Sequence, residues 1–242
     1  MAEFWIGQAK CLLRKISPID FPEGLPIYVC DRNGLGPDFD CQNSFGFTNA
    51  MLDLRLQPIL EERGEWFGRG FCCVINTGLI RSKFPLSAPG DFDSFFSRIA
   101  LHEAIHHFQF GRITAATERE ENLAESLKEV LAEFRASTVE EMKASSPDLY
   151  PWTGHDATFG RLAIHIAFRA RNAGFGVHPN QLWDAERYGF GCTESHIEAL
   201  GDEPERRAGE SLFDIAESEP PADFIQFATK DLQRAKGRHE QL

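Results

Sequence analysis

Hydrophobic and polar residues alternate along this chain with two different periods, which together predict helices and strands. Apolar residues near helical spacing predict a short amphipathic helix over residues 3–16. Runs rich in β-branched and aromatic residues predict strands at 27–30 and 70–76, and a further strand is expected between residues 45 and 54. The 70–76 run is almost continuously apolar and is bounded by glycine, as expected of a buried strand.

Helical spacing dominates from about residue 90 onward. After a predicted loop at 81–90, the segment DFDSFFSRIALHEAIHHFQFG reads as a helix with Asp91 as its N-cap and Gly111 as its C-terminal stop. Its apolar stripe, which would press this helix onto a core, consists of Leu101, Ile105 and Phe108.

Further helices are predicted in the second half of the chain. The first begins at Thr117, and its capping box includes Glu120. The others are a helix from Thr153 towards Gly174, a short helix at 181–188 and a docking helix around 224–232. The intervening acidic stretch at 201–223 is expected to be an irregular linker.

This order of elements predicts an α+β fold of zincin-like architecture. A small mixed sheet near the N-terminus would pack on the helix around residue 102, and the C-terminal half would be largely helical. With 242 residues, the chain is long enough for one domain with a substantial core. We expect this domain to span 1–200, followed by an acidic linker and a C-terminal docking helix and tail at 201–242.

Charge and cysteine usage narrow the class of partners and the compartment. A formal net charge of −12 argues against nucleic acid or an anionic membrane as the partner, because phosphate neutralisation needs clustered Lys and Arg. No apolar run approaches the length of a membrane span, and the N-terminus lacks the pattern of a signal peptide. Six cysteines without a C-x-x-C pair indicate free thiols in a reducing compartment, and the adjacent Cys72 and Cys73 would point to opposite faces of a strand. We therefore expect a cytoplasmic protein.

The chemistry of the chain centres on the H-E-x-x-H pattern at residues 102–106. Helix positions four apart share one face, so His102 and His106 can reach one metal ion. Glu103 can then act as the general base toward a metal-bound water.

A catalytic zinc site usually has three protein ligands, so a third ligand must come from elsewhere. His155 is the preferred candidate. It would fall in the first turn of its predicted helix, on the same stripe as Phe159, Leu162 and Ile166. Glu120 and Glu121 remain alternatives that would give a site of two histidines and one glutamate.

The other histidines are expected to have lesser roles. His107 points about 100° away from His106 around the helix, which favours a supporting or structural role. His165 is expected either in the core or in support of the metal ligands. No role is assigned to the histidines in loop or tail contexts, which are His178, His196 and His239.

The motif at 102–106, followed by Gly-His-Asp-Ala-Thr-Phe at 154–159, resembles the SprT-like (Spartan-type) zinc metalloprotease domain. In that family a Gly-His-Gly-x-x-aromatic segment supplies the third zinc ligand, and here an aspartate replaces the second glycine. The resemblance covers about residues 70–170. It implies that both motif histidines and His155 bind Zn²⁺ and that Glu103 is the catalytic base.

The expected function is zinc-dependent hydrolysis of peptide bonds, with a protein or peptide as the substrate. A strand near the helix, 70–76 or its neighbour, could hold an extended substrate by backbone pairing. Tyr150, Arg161 and Tyr188 are candidate donors to the oxyanion. The alternative is a zinc-stabilised binding or regulatory module that keeps the zincin fold without turnover.

Overall fold

The computed structural model describes residues 2–36, 44–48, 52–84, 89–117, 155, 157–183 and 194–239. Its strands are β1 (Ile27–Asp31), β2 (Gly46–Phe47) and β3 (Phe71–Ile75). Its α-helices are α1 (Ala2–Ile16), α2 (Leu52–Glu62), α3 (Thr77–Lys83), α4 (Pro89–Thr117), α5 (Ala157–Asn172), α6 (Pro179–Trp183), α7 (Glu194–Leu200), α8 (Glu203–Arg206), α9 (Leu212–Glu217) and α10 (Ala222–His239). This is a mixed α+β fold with a small sheet and a mostly helical remainder, as predicted at that level.

The three strands form one mixed sheet in the order β1-β3-β2. β1 runs parallel to β3, with Ile27 opposite Phe71, and β2 runs antiparallel to β3, with Gly46 opposite Ile75. β3 is therefore the central strand and all five of its residues are buried, which confirms the reading of the 70–76 run.

The sheet has helices on both faces, and the alternation of β3 assigns its side chains to them. Cys73 belongs to the larger hydrophobic cluster, which includes residues of α1, α4 and α5. Cys72 belongs to the smaller cluster on the other face, under α2. The prediction that the two cysteines face opposite sides is confirmed. The described cysteines are free thiols.

The prediction of a strand between residues 45 and 54 is correct only for the two residues of β2. From Leu52 the chain is helical, because Leu52, Leu56 and Leu60 are spaced four apart and all three are buried against the sheet. Burial stabilises the fold by roughly 2 kcal/mol for each of these leucines, which outweighs the local β-propensity of the segment.

The helix that carries the H-E-x-x-H pattern, α4, is longer than predicted at both ends. It begins at Pro89, two residues before Asp91, since proline fits the first turn of a helix. It continues past Gly111, because an interior glycine costs only about 1 kcal/mol relative to alanine. The loop predicted at 81–90 is wrong at both ends, where α3 and α4 extend into it, and residues 85–88 lie outside the described part.

The stretch 201–223 is not the irregular linker that its acidity suggested. It contains α8 and α9, and Leu212 and Ile215 are fully buried in the larger cluster. Ser211 caps α9 by accepting a hydrogen bond from the Phe213 backbone N–H at 3.1 Å. Most of the acidic residues in this stretch are exposed, so composition alone concealed an amphipathic pattern. The division into domains at residue 200 stays a prediction.

The remaining helix predictions divide into three groups. The helices predicted from Thr153 and around 224–232 correspond to α5 and α10, but α5 begins only at Ala157, so His155 precedes the helix and does not lie in its first turn. The short helix predicted at 181–188 lies earlier, at α6, and residues 184–193 are outside the described part. The helix predicted from Thr117 falls on 118–154, also outside it; Thr117 itself ends α4. None of the described helices is long and apolar enough to cross a membrane.

Candidate metal centre

Helix α4 packs against α5, and His155, two residues before α5 begins, forms one cluster with His102 and His106 of α4. One ring nitrogen from each histidine lies within 4.8 Å of the others. The ring centroids are 4.9 Å apart for His102 and His106, 5.0 Å for His102 and His155, and 5.1 Å for His106 and His155. Three imidazoles from two distant segments thus form a near-equilateral triangle that could hold a metal ion.

The ring of Phe159 packs against all three imidazole rings. Its ring centroid lies 4.3 Å from that of His155, 4.7 Å from His106 and 5.1 Å from His102. Phe159 is fully buried, and His155 is only 2% exposed. This aromatic contact restricts the imidazoles to a narrow range of orientations and excludes water from one side of the cluster.

Hydrogen bonds donated by the Nδ1 atoms set the tautomers of the two motif histidines. His102 Nδ1 donates to the backbone carbonyl of Leu182 at 2.5 Å, and His106 Nδ1 donates to Gln109 Oε1 at 3.3 Å. Each ring is left with a lone pair on Nε2. Such partners orient metal-binding histidines and increase their basicity.

One pair of Nε2 atoms has the spacing expected at a metal site. The Nε2 atoms of His102 and His155 are 3.3 Å apart. Tetrahedral zinc with Zn–N bonds of about 2.0–2.1 Å places two ligand nitrogens roughly 3.3–3.4 Å apart. The donor set and this distance fit zinc.

Electrostatics favours neutral, ligand-competent imidazoles. Burial lowers the pKa of His106 well below its ordinary value, and positive charge on His102 or His155 would lower it further. A histidine must be neutral at the ligating nitrogen to bind a metal, so this environment suits coordination near neutral pH.

Glu103 lies on the side of α4 that faces the edge strand β2. A Cβ atom built on Gly46 would overlap the Glu103 Oε1 atom and would lie 2.5 Å from Ile99 Cγ2. The Glu103 side chain is buried, and this burial raises its pKa to about 8. The carboxyl group is therefore enclosed between helix and strand, one residue along the chain from a candidate ligand.

His107 and His165 lie apart from the cluster. His107 packs against the rings of Phe71 and Phe213, and burial lowers its pKa to about 4. His165 is fully buried, with its Nε2 atom 3.3 Å from Glu203 Oε1. Both placements agree with the structural roles predicted for them.

Two other predictions need correction. Arg161, a candidate oxyanion donor, instead donates to Glu203 and to the carbonyls of Ile215 and Ser218. Its buried guanidinium is thus committed to the core. His196 is not in a loop but is buried on α7 against the ring of Trp183, because its imidazole fills an aromatic pocket.

Of the remaining candidate residues, the structure describes only two histidines. His178 is exposed in a loop, as predicted, and His239 ends α10. The two alternative third ligands and the other two oxyanion candidates lie outside the described residues, and these are Glu120, Glu121, Tyr150 and Tyr188.

The supporting residues of the site were not found from the sequence. Gln109 lies three residues after His106, a spacing that brings helix side chains together and could have identified it. The Leu182 carbonyl and Gly46 have no such signal, since both act through backbone position.

No family model, curated protein or solved structure matches the chain.

Proposed function

We propose that this protein is a zinc-dependent metallopeptidase in which Glu103 is the general base, as in the SprT-like domains that its motifs resemble. The observation that carries the proposal is the combination of three clustered imidazoles with a buried carboxyl group one residue from His102. A site that only stabilises a fold has no need of this carboxyl group.

His102, His106 and His155 would hold the zinc ion. The neutral state of His106 and the 3.3 Å spacing between two Nε2 atoms support this assignment. When bound, zinc supplies a Lewis acid that polarises the scissile carbonyl and acidifies water. Three protein ligands leave a fourth position open, as catalytic zinc sites require.

Glu103 moves the proton in this proposal. Its carboxylate takes a proton from the attacking water as the new C–O bond forms. It then passes this proton to the amine nitrogen, which leaves as the peptide C–N bond breaks. Because burial raises its pKa to about 8, Glu103 needs a nearby positive charge to ionise at neutral pH. The base would therefore be active only in the metal-loaded protein.

The edge strand β2 is the surface on which an extended substrate would pair. β3 has a strand on each side, whereas β2 has a free edge among the described strands. Gly46 on β2 abuts the Glu103 carboxyl group, so a peptide aligned along this edge would run close to the base.

A second candidate is a zinc-stabilised binding module without turnover. The enclosure of Glu103 between α4 and β2 favours it, since a carboxyl group that is only 4% exposed has little access to an attacking water.

Substitution of Glu103 separates the two candidates. We expect Glu103→Gln to bind zinc with the parental stoichiometry and to cleave peptides about 10²–10⁴-fold more slowly, as expected for loss of a general base. The substrate is a peptide mixture from a digested proteome, with cleavage read by mass spectrometry. The matched control is Glu198→Gln, at an exposed glutamate of α7. Parental cleavage by Glu103→Gln would refute the catalytic proposal, and a zinc-loaded parent that cleaves nothing would favour the binding module.

A further inference from the structure

Arg98 differs from the other buried or half-buried arginines that the structure describes. Its side chain is half-buried, and its Nε atom is buried without a hydrogen-bond partner, as are the Nε atoms of Arg14, Arg32 and Arg169, but no other guanidinium nitrogen of Arg98 bonds to a described residue. The others all donate from their guanidinium groups to carbonyl, hydroxyl or carboxylate oxygens, and they are Arg14, Arg32, Arg161, Arg169 and Arg207.

The lack of a partner has an energetic cost. A cation removed from water is destabilising unless an anion or hydrogen-bond acceptors replace the lost hydration. Burial lowers the pKa of Arg98, and no described acidic residue offsets this effect. The half-buried guanidinium group of Arg98 is therefore available to an anion supplied from outside the chain.

The position of Arg98 relates this charge to the candidate metal centre. It precedes His102 by four residues on α4, so it lies one turn away on the same side of the helix. One helical turn is about 5.4 Å, and an extended peptide advances about 3.3 Å per residue. An anion on Arg98 would therefore belong to a group only one or two residues from a peptide bond held at the histidine cluster.

We propose that Arg98 binds a carboxylate of the peptide substrate, so that the protein cleaves beside an acidic side chain or near a free C-terminus. This inference rests on the proposed peptidase function. A guanidinium group matches a carboxylate through two parallel N–H···O bonds, which fixes its position as well as its charge. A bound divalent cation would add to the positive field around Arg98 and strengthen the selection for an anionic group.

Matched peptides test this preference. Each pair differs only in Glu against Gln at one position within two residues of a cleaved bond, and a second series compares a free C-terminal acid with its amide. We expect the zinc-loaded parent to prefer the carboxylate in one of the two series by about 10–100-fold in kcat/KM, the range of a charged hydrogen bond. The series that shows the effect identifies the source of the carboxylate.

Substitution of Arg98 shows whether this residue is responsible. Arg98→Met should reduce the preference to less than about threefold while the Gln or amide peptide is cleaved at a near-parental rate. The matched control, Arg171→Met, changes an exposed arginine of α5 and should keep the parental preference. Arg98→Met should also resist denaturant at least as well as the parent, because no bond is lost, whereas a purely structural role would lower its stability.

Binding to zinc-free protein, followed by fluorescence anisotropy of the same labelled peptides, separates the two proposals. If the parent cleaves nothing but binds the carboxylate peptide more tightly through Arg98, the peptidase proposal is wrong, and only the carboxylate-binding role of Arg98 stands. It is overturned if Arg98→Met keeps the parental preference, or if neither cleavage nor binding by the parent distinguishes the pairs.

Discussion

Gly46 controls the position of the Glu103 carboxyl group. Any side chain there would collide with Glu103 and with Ile99. We expect Gly46→Ala to leave zinc affinity within about twofold, since no ligand moves, but to lower kcat/KM at least tenfold because misplacement of a catalytic group by about 1 Å can cost 100-fold.

Gly24→Ala provides the comparison for Gly46→Ala, since a Cβ atom at Gly24 would meet nothing within 4 Å. Zinc affinity by chelator competition and cleavage rates are measured on both variants. Parental cleavage by Gly46→Ala would show that β2 does not confine the base.

Single residues explain which parts of the site could be predicted. The spacing of His102 and His106 within one helix specifies their shared face, and His155 was found because it precedes an apolar helical stripe. The Leu182 carbonyl that orients His102 could not be predicted, because every residue carries a carbonyl and only the fold selects one of them. Arg98 was missed because an arginine without a partner is visible only once its surroundings are known.

Helix α6 connects the packing of the core to the candidate ligand His102. Trp183, the last residue of α6, is 1% exposed, and its ring lies directly over Gly160 of α5. The preceding residue, Leu182, provides the carbonyl for His102. The close approach of α5 and α6 at Gly160 therefore positions the Leu182 carbonyl. Through this carbonyl it fixes the tautomer of His102, which lies on α4.

A methyl group at Gly160 should disturb this connection. Its Cβ would lie 2.6 Å from Trp183 Cζ2 and still closer to two other ring atoms. We expect Gly160→Ala to destabilise the fold by about 1–3 kcal/mol through overpacking. We also expect zinc affinity to fall about tenfold, since supporting partners of ligand histidines contribute 10–100-fold.

The control for Gly160→Ala is Gly176→Ala, at a site with open space around it. Chemical denaturation and chelator competition are measured for both. A folded Gly160→Ala protein with parental zinc affinity would contradict a role for α6 in orienting His102.

At the level of elements, sequence patterns identified most helices and strands but not their ends. Periodicity located α1, β1, β3 and α5, whose apolar residues are regularly spaced. It ended α4 too early, at Gly111, because a glycine inside a helix costs only about 1 kcal/mol and does not by itself stop the helix. In 201–223 the short turns around Leu212 and Ile215 were obscured by the surrounding acidic residues.

Across the whole molecule, a buried charged cluster attaches the C-terminal helices to α5. Glu203 accepts hydrogen bonds from Arg161 at 3.0 Å and Arg207 at 3.4 Å, and its Oε1 atom lies 3.3 Å from His165 Nε2. Burial opposes the charge on Glu203, but the hydrogen bonds from His165 and Arg161 outweigh it and lower its pKa to about 2. Loss of this carboxylate would leave the buried charge of Arg161 without its anionic partner.

Glu203→Gln should therefore destabilise the protein by about 3–5 kcal/mol near neutral pH, as expected for breaking a buried ion pair. Because the pKa of Glu203 is lower in the folded than in the unfolded protein, its contribution is complete above about pH 5 and is lost as the pH falls towards 2. Urea unfolding of parent and variant at pH 7, 4 and 3 should give a difference that shrinks with acidification. A difference that is constant or grows would contradict this assignment.

The central claim is that three imidazoles converge on one metal ion, two from α4 and one from just before α5. Zinc X-ray absorption spectroscopy tests this claim most directly. Together with metal analysis, it should show one zinc per chain with three imidazole nitrogens at about 2.0–2.1 Å in the parent, and two in any zinc retained by His155→Ala. His178→Ala, at an exposed histidine, should keep all three. A parent that binds no stoichiometric zinc, or a His155→Ala protein with three imidazole ligands, would contradict the account.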